Sequence, residues 1–255
     1  MNHYFYTVAK AASDYVAHRI IVPITAILEL PRYDFEDESF QSGKPLDDII
    51  ALHSDLLQTD NNYFGPLRHG AIKDHHHGPN DKVILHIRDP RDCLTSLYYS
   101  IAHSHPVPAG SGKEDFLNFR AEVLTYSIDQ YCLYQSLGYQ TVYNNYIDLY
   151  KSSDNIFLSR YEDMVSDFEN WLTRIFTFMG APLDHFHFSN ILENADFQVD
   201  KEDISKHKRR VTPGDFMEKL APETIMVLNE KFAAALACFG YPEVPPAYRL
   251  WRREA

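Results

Sequence analysis

The chain has 255 residues, 45% hydrophobic and 14% aromatic, enough for a sizeable core in one large domain or two small ones. Its formal net charge of −12 argues against a general nucleic-acid or polyanion binder, although Lys206, Lys208, Arg209 and Arg210 cluster in "KHKRR". Three cysteines, no apolar run near the ~20 residues of a membrane span, and no basic-then-apolar leader in "MNHYFYTVAK" predict a cytoplasmic protein with reduced thiols.

Residues 4–8 are aromatic and β-branched and read as a strand. Ala12, Tyr15, Val16 and Ile20 then keep helical spacing until Pro23, which should kink or end the helix. Residues 31–48, with "YDFEDES" and "SGKPLDD", read as an acidic, solvated loop. A strand is expected over 63–67, broken by Gly65-Pro66, and 69–81 reads as a polar loop. That loop holds "HHHG" at 75–78; adjacent histidines do not share a face, so no metal site is expected there. Residues 83–87 are a strand buried on both faces. Asp89 suits an N-cap and Pro90 the first helical position, and Leu94, Leu97, Tyr98 and Ile101 line one helix face. Residues 113–150 are helical and tyrosine-rich; the 126–150 region and the 98–110 loop are expected to shape an acceptor pocket. A strand at 155–159 precedes a strong apolar stripe from Phe168 to Met179, ended by Gly180 and Pro182. Ile225, Leu228, Phe232, Leu236 and Phe239 mark a last helix. Strands alternating with helices predict an α/β fold, a central parallel sheet with helices on both faces.

Two stretches carry charge where a strand gives way to a helix. In "IRDPRDCLTS", Arg88 sits at the carboxyl end of a buried strand, where open α/β sheets place their ligands, and Ser96 lies two helical turns on. An arginine fork and a hydroxyl there suit an anion; the alternative is an Arg–Asp cluster that caps a helix. In "YTVAKAASDY", a strand–turn–helix start offers backbone N–H groups, with Lys10 and Ser13 beside them. It is not a Walker A sequence, which needs G-x-x-x-x-G-K-[ST].

With "FLSRYEDM" at 157–164 and "HKRRVTPGDF" at 207–216, these stretches, in this order over residues 4–240, resemble the sulfotransferases that use 3′-phosphoadenosine 5′-phosphosulfate (PAPS). The resemblance implies a single domain over 1–255 with a P-loop-kinase-like, three-layer sulfotransferase fold. It implies that "AKAASDY" is the 5′-phosphosulfate loop P-K-S-G-T-T-W, so that Lys10, Ala11, Ala12, Ser13, Asp14 and Tyr15 face the cofactor, with Lys10 catalytic and Tyr15 at the adenine. Arg88 and Ser96 would hold the 3′-phosphate, joined by Arg209 and Arg210 in place of the R-K-G motif. Tyr161 and Phe197 would lie near the adenine, and His69 would be the base. His103 and His105 are its rivals.

The departures are specific. Ala11 and Ala12 replace serine and glycine, so the backbone at Ala12 is expected to avoid conformations only glycine takes easily. Asp14 would repel a phosphosulfate unless it caps the helix or pairs with a cation. Val211 replaces the glycine of R-K-G. The implied activity moves a sulfuryl group from PAPS to a hydroxyl, or an amine, of a small-molecule acceptor, releasing 3′-phosphoadenosine 5′-phosphate (PAP). No metal, nucleic acid or membrane partner is expected, and oligomeric state is open. The alternatives are a non-catalytic nucleotide-binding protein of the same fold, an ATP-dependent phosphotransferase and, more distantly, a metal hydrolase on the histidine run.

Overall fold

Five parallel strands form one sheet: β1 (His3–Thr7), β2 (Arg32–Tyr33), β3 (Tyr63–Leu67), β4 (Lys82–Ile87) and β5 (Ile156–Arg160). Their order is β2-β3-β1-β4-β5. The computed structural model describes residues 1–70, 72, 75–108, 112–153, 155–197, 199, 202–206 and 208–243. Residues 109 and 110 of the expected 98–110 loop, and His207 of the quoted basic motif, lie outside the described residues. The chain divides into two compact units, residues 1–88 with 145–196 and residues 89–144 with 197–255.

The first unit holds the sheet. After β1 come α1 (Ser13–Tyr15), a π-helical stretch Val16–Ile21 and α2 (Val22–Ile27). Pro23 therefore does not end the helix. Its ring and missing N–H follow the widened π turn, which takes up the misfit within one continuous helical run. The stretch read as an acidic loop is also ordered: β2 is followed by α3 (Phe35–Ser42), α4 (Leu46–Leu52) and α5 (Ser54–Leu57). Asp34 caps α3 by accepting from the Asp37 N–H at 2.9 Å, and Gly43 ends it in the left-handed region. β3 continues through Gly65-Pro66, but its register with β1 shifts there, Tyr4 pairing with Phe64 and Tyr6 with Leu67. Gly65, at φ 139°, leaves no room for a Cβ, which would meet the Phe5 carbonyl at 2.7 Å.

Side chains alternate across β1. Tyr4 and Tyr6 share one face, where the Tyr6 ring lies 6.2 Å from Tyr146. Phe5 looks the other way, to His86 at 6.3 Å, and His86 lies 6.0 Å from Trp171. Tyr146 belongs to α8 (Ile128–Ser152) and Trp171 to α10 (Phe168–Met179), reached through α9 (Tyr161–Ser166), so helices cover both faces of the sheet. The chain is a three-layer α/β protein.

The second unit holds α6 (Pro90–Tyr99), a second π-helical stretch Ser100–Ser104, α7 (Gly112–Val123), most of α8, α12 (Asp215–Lys219) and α13 (Pro222–Phe239); α11 (Phe186–Glu193) lies in the first unit. Arg91 is 1% exposed and fully engaged: Asp89 at 2.6 and 2.9 Å, Asn229 Oδ1 at 2.6 Å, the Pro242 carbonyl at 2.9 Å and the Phe216 ring at 4.3 Å. Asp92 accepts the N–H groups of Gly214 (2.7 Å) and Phe216 (3.0 Å). Much of the charge in "RDPRD" therefore fastens a helix start to the 214–216 turn.

Candidate functional site

The site in the first unit begins as a problem of carbonyl accounting. Between β1 and α1 the backbone reverses, and every buried C=O in that turn needs a donor. Tyr146 Oη, fully buried, lies 2.6 Å from the Thr7 carbonyl and 2.9 Å from the Leu67 carbonyl, stapling the ends of β1 and β3. The Val8 carbonyl accepts the Ala11 N–H at 3.3 Å. Arg88 Nη1 donates to the Lys10 carbonyl at 3.1 Å. His86 Nε2 donates to the Ala11 carbonyl at 2.8 Å, and Val16 N–H to that of Ala12 at 3.0 Å.

With these carbonyls fixed inward, Lys10 and Ala12 both take positive φ, 70° and 59°. The expectation that Ala12 avoids a glycine-like conformation is thus corrected: it is left-handed (φ 59°, ψ 30°). Such a conformation costs a non-glycine residue on the order of 1–3 kcal/mol and persists only where surroundings over-determine it. The pins just described do so. The result is a concave turn whose N–H groups at Ala12, Ser13 and Asp14 open a helix, where no intrahelical acceptor exists.

His86 is the deepest of these pins. It is 0% exposed, and burial lowers its pKa to about 4, so the ring is neutral near pH 7. Because Nε2 gives its proton to Ala11, Nδ1 must accept, and it does so from Ser159 Oγ at 2.8 Å. Ser159 Oγ in turn accepts from Trp171 Nε1 at 2.8 Å. A relay of hydrogen bonds thus runs from α10 through β5 and β4 to the loop.

A second cluster lies at the end of β3. Arg68 donates to Ser13 Oγ (3.1 Å), Asp14 Oδ1 (2.6 Å) and Glu36 Oε2 (2.9 Å), and its backbone N–H also reaches Glu36 Oε1. Asp14 therefore pairs with a cation, the second of the two courses open to it. His69 Nδ1 lies 2.9 Å from Glu36 Oε1. Burial works to raise the Glu36 carboxyl, but hydrogen bonds from His69 and Arg68 outweigh it and hold the pKa below its ordinary value. The same hydrogen bond, opposed by burial, raises the His69 pKa.

Of the predicted residues, the first unit brings together Lys10, Ala11, Ala12, Ser13, Asp14, His69, Arg88 and Tyr161. The Arg88 guanidinium stacks 4.3 Å over the Tyr161 ring. Tyr15 is half-buried on α1. Ser96, Phe197, Arg209 and Arg210 belong to the second unit. There Arg209 is 7% exposed, bonded to Glu202 and Asp215 and stacked 4.1 Å over Tyr99. Arg210 pairs with Glu218 at 2.6 Å and with Asp215 at 3.4 Å. Phe197 and Arg210 line one recess of about 250 Å³ with Val199, Glu202, Val211 and Thr212. Ser96 is half-buried on α6.

The acceptor pocket expected from the tyrosine-rich 126–150 region is corrected in part. Tyr131, Tyr143 and Tyr146 are core residues, each at most 1% exposed. Of the histidine run, His75 and His77 pack on the sheet, 2.9 Å from Tyr4 Oη and 3.0 Å from Tyr6 Oη. Among the described residues no group of three or more His, Cys, Asp or Glu gathers as a metal site. Glu36, His86 and Tyr146 escaped the sequence reading. Only Glu36 left a signal, the Asp34 cap and Gly43 stop that bracket its helix.

A sulfotransferase-domain family model matches residues 67–237, from the end of β3 onward, so the Lys10 loop lies outside the match. No curated protein sequence matches the chain. Among solved structures, mouse sulfotransferase SULT7A1 complexed with PAP is similar at TM-score 0.52 and 14% identity, covering 100% of this chain and 89% of its own. Retinol dehydratase in a complex with retinol and PAP is similar at 0.51 and 15%, covering 92% and 81%. These likenesses share the fold, and the family match spans well over half the chain. The protein belongs to the sulfotransferase domain family.

Proposed function

We propose that the protein, acting as one sulfotransferase domain, transfers a sulfuryl group from PAPS to a hydroxyl of a small-molecule acceptor. The observation that carries this reading is the inward pinning of the loop carbonyls, which turns the N–H groups of a helix start and the Lys10 turn toward an anion. Structures of similar fold hold PAP, and two of them hold retinol or androsterone, which supports both a nucleotide donor and a small acceptor.

In the proposed reaction His69 takes the proton of the acceptor hydroxyl. The acceptor oxygen bonds to sulfur while the bond from sulfur to the 5′-phosphate oxygen breaks, its electron pair leaving on PAP. Lys10 and the loop N–H groups stabilise the charge growing on that phosphate. Arg88 is assigned to the 3′-phosphate, with Ser96, Arg209 and Arg210 assigned to it by the family motifs, and Tyr15, Tyr161 and Phe197 to the adenine. Arg68 neutralises Asp14, which removes the objection that a carboxylate stands in the loop. Cys93, Cys132 and Cys238 form no disulfide, in keeping with the proposal of a reducing compartment such as the cytosol, and among the described residues no helix is long and apolar enough to cross a membrane.

The test is transfer of labelled sulfuryl from PAPS to a panel of alcohols, phenols and amines. Product with at least one hydroxyl acceptor is expected. Nucleotide binding without transfer to any of them would leave a non-catalytic relative of the family.

A further inference from the structure

We infer that Glu36 is the positioning residue of the base, fixing which ring nitrogen of His69 carries a proton and tying that ring to the anion loop through Arg68. This rests on the proposal that His69 accepts the acceptor's proton. Glu36 sits in the first turn of α3 with its side chain 10% exposed, whereas the His69 side chain is 74% exposed. An exposed imidazole left to itself rotates freely and divides its neutral form between two tautomers. Here one carboxylate oxygen lies 2.9 Å from Nδ1.

An ionised carboxylate can only accept, so the neutral ring places its proton on Nδ1 and leaves the lone pair on Nε2. Nε2 is then the atom that can take the acceptor's proton. As it does so, the acceptor oxygen bonds to sulfur, the sulfur–phosphate oxygen bond breaks onto PAP, and the imidazolium formed lies against Glu36. The same carboxylate receives Arg68, whose other nitrogens reach Ser13 Oγ and Asp14. The base and the loop thus share one ionic cluster drawn from α1, α3 and the end of β3.

The charged groups facing His69 are Glu36 and Arg68, with Asp14 and Asp34 acting on Arg68 from behind. The bond to Glu36 is the largest influence and raises the His69 pKa. The rivals lack a carboxylate partner: His105 Nδ1 donates to the Pro106 carbonyl at 2.8 Å, which fixes the same tautomer without a charge to hold the imidazolium, and the His103 ring packs near Tyr98 and Tyr99.

The experiment follows the ring nitrogens of His69 by NMR in the ¹⁵N-labelled full chain without nucleotide, for wild type and Glu36→Gln, and then measures turnover against pH. Wild-type His69 is expected to titrate above the ordinary ~6.5 and, when neutral, to carry its proton on Nδ1. In Glu36→Gln the titration should move down and the proton shift to Nε2, because the amide NH₂ can donate to Nδ1. Turnover should fall about 10–100-fold above both titrations, the loss typical when a histidine's orienting partner is removed. KM for PAPS should change less than kcat, and the acidic limb should move to lower pH. A wild-type His69 that titrates at or below ~6.5, or is protonated on Nε2 when neutral, overturns the inference without any variant having to fold. So does an unchanged titration and tautomer in Glu36→Gln. Should the predicted NMR signature appear while no sulfuryl transfer is found, Glu36 keeps its role over His69 and the proposed function fails instead.

Discussion

Replacing His86 isolates the relay that sets the loop, because the residue is fully buried and touches no proposed reacting atom. His86→Leu has a similar volume, so no large cavity opens. It strips the Ala11 carbonyl of its donor and the Ser159 hydroxyl of its acceptor, while Ser159 still receives Trp171 Nε1. Each buried polar group left unsatisfied costs about 1–3 kcal/mol, so the expected loss is about 2–6 kcal/mol, a large part of a typical domain's 5–15. His86→Gln places an amide N–H near the Nε2 position and should lose only about 1 kcal/mol. Urea unfolding at constant m-value reads both changes, and PAP affinity, measured well below the unfolding midpoint, should fall more for leucine than for glutamine. If His86→Leu unfolds within ~0.5 kcal/mol of wild type, or glutamine does as badly as leucine, the relay does not set the loop.

Stability should fall as pH drops from about 6.5 to about 4. His3, His77 and His86 each have a pKa lowered to about 4, chiefly by burial, so the unfolded chain binds more protons across that window. Fully buried His86 should account for about 3 kcal/mol of the loss, and His86→Gln should flatten the slope. His69 acts with the opposite sign: its raised pKa gives stability that is present below the unfolded value and lost as pH rises through the folded one. Ala12→Gly removes the left-handed strain but adds unfolded-state entropy, so its unfolding free energy should change by only about 0 to +1 kcal/mol; a loss greater than ~1 would contradict the assigned backbone. Lys10→Ala should lower kcat far more than PAPS affinity, since its charge matters most as the phosphate leaves; wild-type turnover would make Lys10 a bystander.

The elements legible in the sequence are those whose pattern is local. The β-branched run before Arg88, the Asp89-Pro90 helix start and the Phe168–Met179 stripe all fall within a residue or so of the observed β4, α6 and α10. What was misread depends on contacts distant in sequence. "YDFEDES" is acidic enough to pass for solvent-facing loop, yet Glu36 is drawn inward by Arg68 and His69, more than 30 residues on. Tyr146 and His86 resemble any core aromatic until the carbonyls they bind are seen, 139 and 75 residues away in sequence. Pro23 predicts a helix kink or end by its chemistry, and the preceding π turn lets the helix continue with the proline in the first turn of α2. Two of the motifs, distant in sequence, come close because the turn after β1 and the turn after β4 lie at the carboxyl ends of adjacent parallel strands.

The central claim is that the loop after β1 and Arg88 recognise a nucleotide carrying phosphates at both its 3′ and 5′ positions. Calorimetric titration of the full chain with PAP, AMP and ATP, for wild type and Arg88→Ala, tests it most directly. A charge-assisted hydrogen bond contributes roughly 1.5–3 kcal/mol, about tenfold or more in affinity. PAP should therefore bind wild type at least about tenfold more tightly than AMP or ATP. Arg88→Ala should erase most of that difference, weakening AMP too because the Lys10 carbonyl loses its donor, but weakening PAP more. Equal affinities of wild type for PAP and AMP, or tighter binding of ATP, would contradict the account.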